Sequence, residues 1–298
     1  SIAPDLDAFI SWIDYVRPTE ILLVHRGLTH TLFFGFFFAL MLLYICTRDP
    51  VKSRLTGLLK FDLEFSAWST AFVYAGVLLH LAVDCTTTRG VPLFYPWQAA
   101  RYSADIFSQM EIAVLAVSLA ALVVLWLQRS QPKFNKKLFI TFLACLLIVG
   151  GIRIEGKEAA EGLFDEAGAD VQVHPDLDLF SWIALGAGGQ EFEVYRYSLL
   201  HGNLTGRAEY PRLAVASSRE EAEEAMALAE ELPEVKTFCW RAYAVAVNAT
   251  SRGNGSWEIE YYDPLVKMQM GCYDRYRPLP AGYGSVKVAV EGREARVE

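Results

Sequence analysis

Long apolar runs separated by short charged segments fill the first half of the chain. Four runs stand out, at residues 27–47, 66–83, 112–128 and 138–152. The first three reach the roughly 17–25 residues that a membrane-spanning helix needs. The fourth is shorter and fits either a buried helix or a span that flanking basic side chains extend. The pattern predicts an α-helical membrane domain with about four transmembrane helices.

The second half of the chain is more polar and changes to short segments of mixed periodicity. The segment SSREEAEEAMALAEEL predicts a helix, with Ser218 and Glu221 as its capping box. The segments TFCWRAYAVAV, SWEIEYY and GSVKVAVEGREARVE favour strands, the last with a hairpin turn at Gly292. We therefore expect a polytopic membrane domain over residues 1–153 and a small extracellular α+β domain over residues 154–298.

The distribution of Lys and Arg between the connecting segments predicts the orientation of the chain. Residues 47–60 and residues 128–137 carry four basic side chains each, whereas residues 1–26 and residues 84–110 carry two each. Because positively charged loops stay in the cytoplasm, the two basic segments are expected inside. Four crossings of the cell membrane then place the α+β domain outside.

Three N-x-[ST] sequons lie in this expected external domain, at Asn203, Asn248 and Asn254. None lies in a segment expected to be cytoplasmic, which agrees with the charge distribution. In a host that glycosylates external domains, the chain is therefore expected to be a glycoprotein. Cys239 and Cys272 belong to the same domain, and an external location would allow them to form a disulfide.

Composition narrows the class of protein further. Hydrophobic residues make up 53% of the chain and its mean hydropathy is +0.23, both high for a soluble protein. The net charge of −8 argues against a nucleic-acid partner, which would need a basic patch or stripe. The five cysteines form no CxxC pair and no dense disulfide framework.

Side chains with metal-binding chemistry lie at the predicted outer ends of the first two apolar runs. The spacing H-x-x-x-D in the second run puts an imidazole and a carboxylate on one helical face. Imidazole and carboxylate together suit a divalent metal ion, zinc before others. Six candidate ligands map to one membrane surface: Asp5, Asp7, His25, His30, His80 and Asp84.

The number of ions and the position of each histidine stay open. Six ligands exceed the four of one tetrahedral zinc ion, so the site fits one or two ions. On a continuous helix His25 and His30 would lie ~140° apart, so either Gly27 breaks the helix between them or they bind different ions. A simpler alternative is that each histidine is only hydrogen-bonded near a helix end.

The sequence also leaves open which of these residues would have a catalytic role. Asp5 or Asp7 could act as a general base instead of a ligand. Arg26 and Arg89 could neutralise a substrate phosphate. The PDLD segment could also be no more than a helix cap and turn.

Three motifs, PDLD, HRGLTH and HLAVDCTTTRGVPLFYP, occur in this order. As a set they resemble the YdjM-like family of membrane-bound metal-dependent hydrolases, over about residues 1–97 and more weakly beyond. The resemblance implies that all six candidate side chains bind metal, and it implies a distant kinship with zinc-dependent phospholipases C. It also leads us to expect a further apolar helix before Ser1.

Two functions are compatible with the sequence. The first is a membrane-embedded metal-dependent hydrolase acting at the outer interface, on phosphate esters of lipids or on lipid-linked substrates. The alternative is a structural or accessory subunit of a membrane complex, in which a metal only fastens the outer helix ends. The expected partners are membrane lipids, together with a membrane-protein partner or further copies of the chain, and no nucleic acid.

Overall fold

The computed structural model describes residues 4–9, 25–59, 64–108, 111–128, 131–166, 171–270 and 284–298. The chain divides into two compact units, a first unit Ser1–Ala104 and a second unit Asp105–Glu298. The domain boundary expected after residue 153 falls within a helix of the second unit, Pro132–Glu166.

The first unit is helical in its described residues. Its elements are two 3₁₀ helices, Pro4–Phe9 and Leu28–His30, and three α-helices: α1 Leu32–Cys46, α2 Asp49–Leu59 and α3 Ala67–Asp84. Both α1 and α3 begin at a side-chain cap. Thr31 accepts a hydrogen bond from the amide of Phe34, and Ser66 accepts one from the amide of Ser69.

Small and aliphatic side chains pack α1 against α3. Ala39 of α1 lies in a buried core with Val77 and Leu81 of α3. Gly35 makes the close approach feasible, because a Cβ at this position would lie 3.1 Å from Val77 Cγ1. This packing holds the C-terminal end of α3 beside the start of α1.

Apolar helices give the protein its membrane character. Within the described residues, α3 and the stretch Lys133–Phe164 are long and apolar enough to cross a membrane. The pair Leu32–Cys46 and Asp49–Gly57 would add a third span, broken by a bend of 83°. Helix α4, Ile112–Leu127, is apolar but shorter. Each of the four predicted apolar runs therefore contains a helix, and two or three of these helices are candidate spans.

The second unit combines α4 and α5 (Pro132–Glu166) with a region rich in β-sheet. An antiparallel sheet has the strand order β1-β2-β3-β4: Val171–Pro175, Ser181–Ala187, Glu191–Ser198 and Asn203–Pro211. A second sheet has the order β5-β6-β7-β8-β9: Leu213–Val215, Ala246–Gly253, Ser256–Tyr262, Ser285–Glu291 and Glu294–Val297. Only its β5–β6 pair is parallel among the described pairings. Three helices accompany the sheets: α6 Arg219–Glu230, α7 Pro233–Arg241 and α8 Pro264–Met270.

Helix α5 continues well beyond its apolar run because its second half packs on the first sheet. Gly156, Ala160 and Phe164 recur at i, i+4 spacing and are buried. Trp182 of β2 packs against this stripe, and a Cβ at Gly156 would lie 2.3 Å from its Nε1 atom. Glu158, between the buried positions, is exposed. The charged residues after position 153 therefore belong to the exposed face of a continuous helix and do not indicate that the helix ends there.

Most of the predicted elements of the polar half are confirmed. SWEIEYY forms β7, GSVKVAVEGREARVE forms the β8–β9 hairpin with Gly292 at φ 63°, and α6 starts after its cap Ser218. The predicted strand over TFCWRAYAVAV is wrong for most of its length: residues 237–241 belong to α7, and only Ala246 and Val247 lie in β6. Pro233 opens that helix and Phe238 is buried on it. Cys272 lies outside the described residues, so its disulfide with Cys239 stays a prediction.

Candidate metal centre

Four of the candidate ligands meet in the first unit, at the end of α3. His80 and Asp84 lie one turn apart on this helix, and His80 Nε2 is 3.3 Å from Asp84 Oδ2. His30 ends the 3₁₀ helix before α1, where the Thr31 cap fixes the start of the next helix. Asp5 lies on the 3₁₀ helix Pro4–Phe9. Three separate segments thus converge, as the predicted ligand set requires.

Five of the distances between the ligand atoms of these four side chains are nearly equal. His30 Nε2 is 3.3 Å from His80 Nε2, and both nitrogens are 3.4 Å from Asp5 Oδ1. Asp84 Oδ2 is 3.4 Å from His30 Nε2 and 3.3 Å from His80 Nε2. A tetrahedral ion with metal–ligand distances of about 2.0–2.1 Å separates its ligand atoms by about 3.3–3.4 Å. Each of these five distances has the length of an edge of a tetrahedral zinc site, which has six edges; Asp5, His30 and His80 form the set that proximity alone selects, and Asp84 adds a fourth candidate ligand.

Burial and charge at this point also favour a cation. Asp84 Oδ2 is buried and has no hydrogen-bond donor among the described residues. The cluster contains three carboxylates, and of these Asp84 pairs with the guanidinium of Arg26, whereas Asp5 and Asp7 face imidazole nitrogens. With neutral imidazoles the cluster carries two negative charges, which a divalent ion would balance.

The pKa shifts in the cluster also favour positive charge beside the carboxylates. Burial lowers the pKa of His30, but hydrogen bonds to the carboxylates of Asp5 and Asp7 outweigh burial and raise this pKa above its ordinary value. Burial raises the pKa of Asp7, but hydrogen bonds from His25, His30 and Thr29 hold this pKa well below its usual range. The cluster therefore stabilises positive charge.

Asp7 and His25 form a second group on the other side of the His30 ring. Asp7 Oδ1 lies 2.7 Å from His25 Nδ1, and Asp7 Oδ2 lies 3.1 Å from His30 Nδ1. The hydroxyl of Thr29 donates to Asp7 Oδ2 over 2.5 Å. Two sets of side chains could thus hold a metal ion by proximity alone, Asp5 with His30 and His80, and Asp7 with His25 and His30.

Arg26 contacts the site through a ligand side chain. Its Nη2 donates to Asp84 Oδ1 over 2.9 Å, and its Nη1 donates to the hydroxyl of Thr87 over 2.8 Å. The residue is 8% exposed and has a positive φ of 61°, an uncommon conformation for a side chain of this size. Asp84 is therefore fixed through Oδ1, and its Oδ2 faces the imidazoles.

The hydroxyls of Thr29 and Thr87 also belong to the cluster, and neither was predicted as a metal ligand or a catalytic residue. Thr29 lies in the HRGLTH motif and Thr87 in the HLAVDCTTTRGVPLFYP motif, so their positions in these motifs could have indicated that they belong to the site. The remaining described histidines lie in the second unit. The His174 ring contacts the Tyr243 ring in a tilted arrangement, with 4.0 Å between centroids, and His201 Nδ1 lies 2.9 Å from the hydroxyl of Ser198.

Apolar helices of spanning length and a His/Asp cluster that could bind a metal define a membrane protein with a candidate metal centre. The family model of the YdjM inner membrane protein matches residues 1–157, which include every residue of the cluster. The chain belongs to this family. No curated protein and no solved structure matches it. The kinship with zinc-dependent phospholipases C stays a prediction.

Proposed function

We propose that this protein is a metal-dependent hydrolase of the membrane, with a divalent ion held by Asp5, His30, His80 and Asp84. The observation that carries the proposal is the set of five ligand–ligand distances of 3.3–3.4 Å around the buried Asp84 Oδ2. Zinc fits this spacing and this ligand chemistry. When bound, such an ion lowers the pKa of a water molecule and polarises a phosphoryl or acyl oxygen.

Side-chain exposure indicates the direction from which a substrate would approach. Among the four proposed ligands, His30 is 0% exposed, whereas Asp5 is 39% exposed. His25 is also partly exposed, at 34%. A substrate would therefore reach the ion from the side of Asp5 and His25, and either side chain could contact it there.

The surroundings of the site favour a lipid or lipid-linked substrate. The 3₁₀ helix that carries Asp5 also presents Leu6 and Phe9 to the exterior. Phe33, at the start of α1, packs edge-on against exposed Trp97 with 5.2 Å between ring centroids. Aromatic and aliphatic side chains at a helix end are typical of the headgroup level of a membrane. Phosphate esters at that depth belong to lipid headgroups.

The excess of basic residues in the segments 47–60 and 128–137 supports an outer location for this site and for the sheet-rich region. Asn203, Asn248 and Asn254 are all exposed and so are accessible for glycosylation in a suitable host. Protease added to intact spheroplasts should then remove the sheet-rich region. Protection until lysis would place it in the cytoplasm.

A structural role for the metal is the second candidate, and one observation favours it. Four protein ligands can complete a tetrahedron, which is the arrangement of structural zinc sites. Against it stands the chemistry of the set, because structural sites use mainly cysteine thiolates, whereas imidazole with carboxylate is common at catalytic zinc. Exposed Asp5 is the ligand whose displacement would open a position.

One pair of measurements tests the hydrolase against the structural subunit. Cobalt-loaded protein is titrated with azide, and hydrolysis of phosphatidic acid and of p-nitrophenyl phosphate is followed with and without chelator. We expect azide to change the visible cobalt spectrum, and turnover to require metal and to vanish in His80→Ala. A cobalt spectrum insensitive to azide, with no metal-dependent turnover, would favour the structural subunit.

A further inference from the structure

The six predicted ligands differ in the spacing of their polar atoms. Asp5 Oδ1, His80 Nε2 and Asp84 Oδ2 each lie 3.3–3.4 Å from His30 Nε2. This is the separation expected between two ligand atoms of one ion. Around Asp7, the distances are 2.5–3.1 Å, which is the range of hydrogen bonds. The atoms around His30 Nε2 therefore have the spacing of metal ligands, whereas the atoms around Asp7 have the spacing of hydrogen-bonded groups.

Both oxygens of Asp7 are already used by neighbouring donors. Oδ1 faces His25 Nδ1 at 2.7 Å, while Oδ2 accepts from the hydroxyl of Thr29 at 2.5 Å and faces His30 Nδ1 at 3.1 Å. The side chain is 5% exposed. A buried carboxylate with this many donors is satisfied without a metal ion.

The ring of His30 makes two ions incompatible with a neutral imidazole. Both metal-compatible sets include His30, one through Nε2 and the other through Nδ1. An ion on each nitrogen would require a bridging, fully deprotonated imidazolate. With one ion on Nε2, Nδ1 keeps its proton, which faces the hydroxyl oxygen of Thr29 at 3.0 Å and Asp7 Oδ2 at 3.1 Å. Metal-bound histidines commonly direct this proton towards a carboxylate.

We propose that the chain binds one ion per molecule, and that Asp7 is a positioning residue and His25 lies outside the ligand set. Asp7 holds the His30 ring in the tautomer that presents Nε2 to the ion. It also holds His25, through Nδ1, beside the ion and not on it. This inference rests on the proposed metal-dependent function and departs from the six-ligand set that the family resemblance implies.

The test measures zinc stoichiometry and affinity in the full-length protein, purified in detergent, by elemental analysis and by competition with a chelating dye. Wild type should bind one equivalent. His25→Ala should keep one equivalent with affinity within a few-fold of wild type. Asp7→Asn should keep one equivalent but bind it about 10–100-fold more weakly, because the orienting partner is altered. His80→Ala should lose the ion, and His201→Ala should match wild type.

A spectroscopic measurement separates positioning from ligation. With cobalt in place of zinc, His25→Ala should retain the intense visible absorption of a tetrahedral ion with unchanged band positions. Loss of one full equivalent from two in either His25→Ala or Asp7→Asn would overturn the inference while leaving a metal-dependent hydrolase. A wild-type protein that binds no divalent ion would overturn the proposed function as well. Circular dichroism of each variant identifies loss by misfolding, and Asp7→Asn is the variant least prone to it.

Discussion

Each compact unit buries a charged cluster next to apolar helices, and the two clusters reach neutrality differently. In the second unit, Arg153 is fully buried and uses all five guanidinium donors. Glu111 Oε2 accepts two of them, at 2.6 and 3.0 Å. The other donors face backbone carbonyls of Asp176, Asp178 and Ser181. The charges of this cluster are therefore balanced within the chain, although Glu111 Oε1 is buried without a hydrogen-bond partner among the described residues.

The charges of the cluster in the first unit are not balanced in the same way. Asp84 Oδ2 has no donor among the described residues, and the Nε2 atoms of His30 and His80 point at the same spot. The acidic groups outnumber Arg26, whereas Arg153 meets one carboxylate. Both clusters are buried, so burial does not distinguish a structural ion pair from a candidate metal site. The type and the spacing of the partner atoms distinguish them.

The largest expected effect is the loss of the arginine in the cluster of the second unit. Arg153→Ala leaves the buried Glu111 carboxylate without its charged partner, so the free energy of unfolding of the second unit should fall by about 3–5 kcal/mol. Urea unfolding in detergent, followed by tryptophan fluorescence, measures it.

Lys157→Ala on the same helix is the matched control for Arg153→Ala. The pair of Lys157 with Glu161 is partly exposed and 3.7 Å long, and its loss should cost no more than about 1 kcal/mol. Equal effects from the two substitutions would show that the Arg153 cluster does not stabilise the unit.

Removal of the metal should have a comparable effect, confined to the first unit. At a free zinc concentration of about 1,000 times Kd, binding adds roughly 4 kcal/mol to the stability of the state that binds it. Chelator should therefore lower the unfolding temperature of wild type and should leave His80→Ala unchanged. A chelator effect of equal size in both proteins would contradict the ligand assignment of His80.

The sequence was informative where a short-range pattern controls the structure. The apolar runs contain the helices, and the i, i+4 spacing of His80 and Asp84 does put both on one face of α3. The β8–β9 hairpin follows from a glycine turn between alternating segments, with Gly292 at positive φ. In each case neighbours along the chain determine the outcome.

The sequence was less informative where distant segments decide. The length of α5 depends on Trp182, which gives Gly156 and Ala160 something to pack against. The different roles that we propose for Asp5 and Asp7 depend on which nitrogen of His30 each carboxylate faces, Nε2 for Asp5 and Nδ1 for Asp7. Spacing alone treats Asp5 and Asp7 alike, because only the folded ring distinguishes its two sides.

Packing of α5 on the first sheet gives the next prediction. Gly156→Ala introduces a methyl group 2.3 Å from Trp182 Nε1, so the tryptophan must move. We expect a loss of about 1–3 kcal/mol in the free energy of unfolding, as in other overpacked cores. The comparison with Arg153→Ala then shows how much the apolar contact contributes beside the ion pair.

Gly162→Ala controls for helix propensity on the same helix. A Cβ at Gly162 meets nothing within 4 Å, and alanine is favoured over glycine in a helix by about 1 kcal/mol. This variant should therefore be as stable as wild type or more stable. Stabilisation by Gly156→Ala of the same size would mean that the tryptophan ring is not held against the helix.

The smallest expected effect concerns the contact that turns Asp84 towards the imidazoles. Arg26→Lys keeps the charge and the positive φ but cannot reach Asp84 Oδ1 and the Thr87 hydroxyl together through a planar fork. We expect zinc to bind about tenfold more weakly, equivalent to ~1.4 kcal/mol, with one equivalent still bound. Arg48→Lys, at the opposite end of α1, replaces an arginine that stacks on Tyr44 and should leave zinc affinity unchanged. If both substitutions leave the affinity at the wild-type value, Asp84 is oriented by the end of α3 alone, and the first cluster needs no guanidinium to present its ligands.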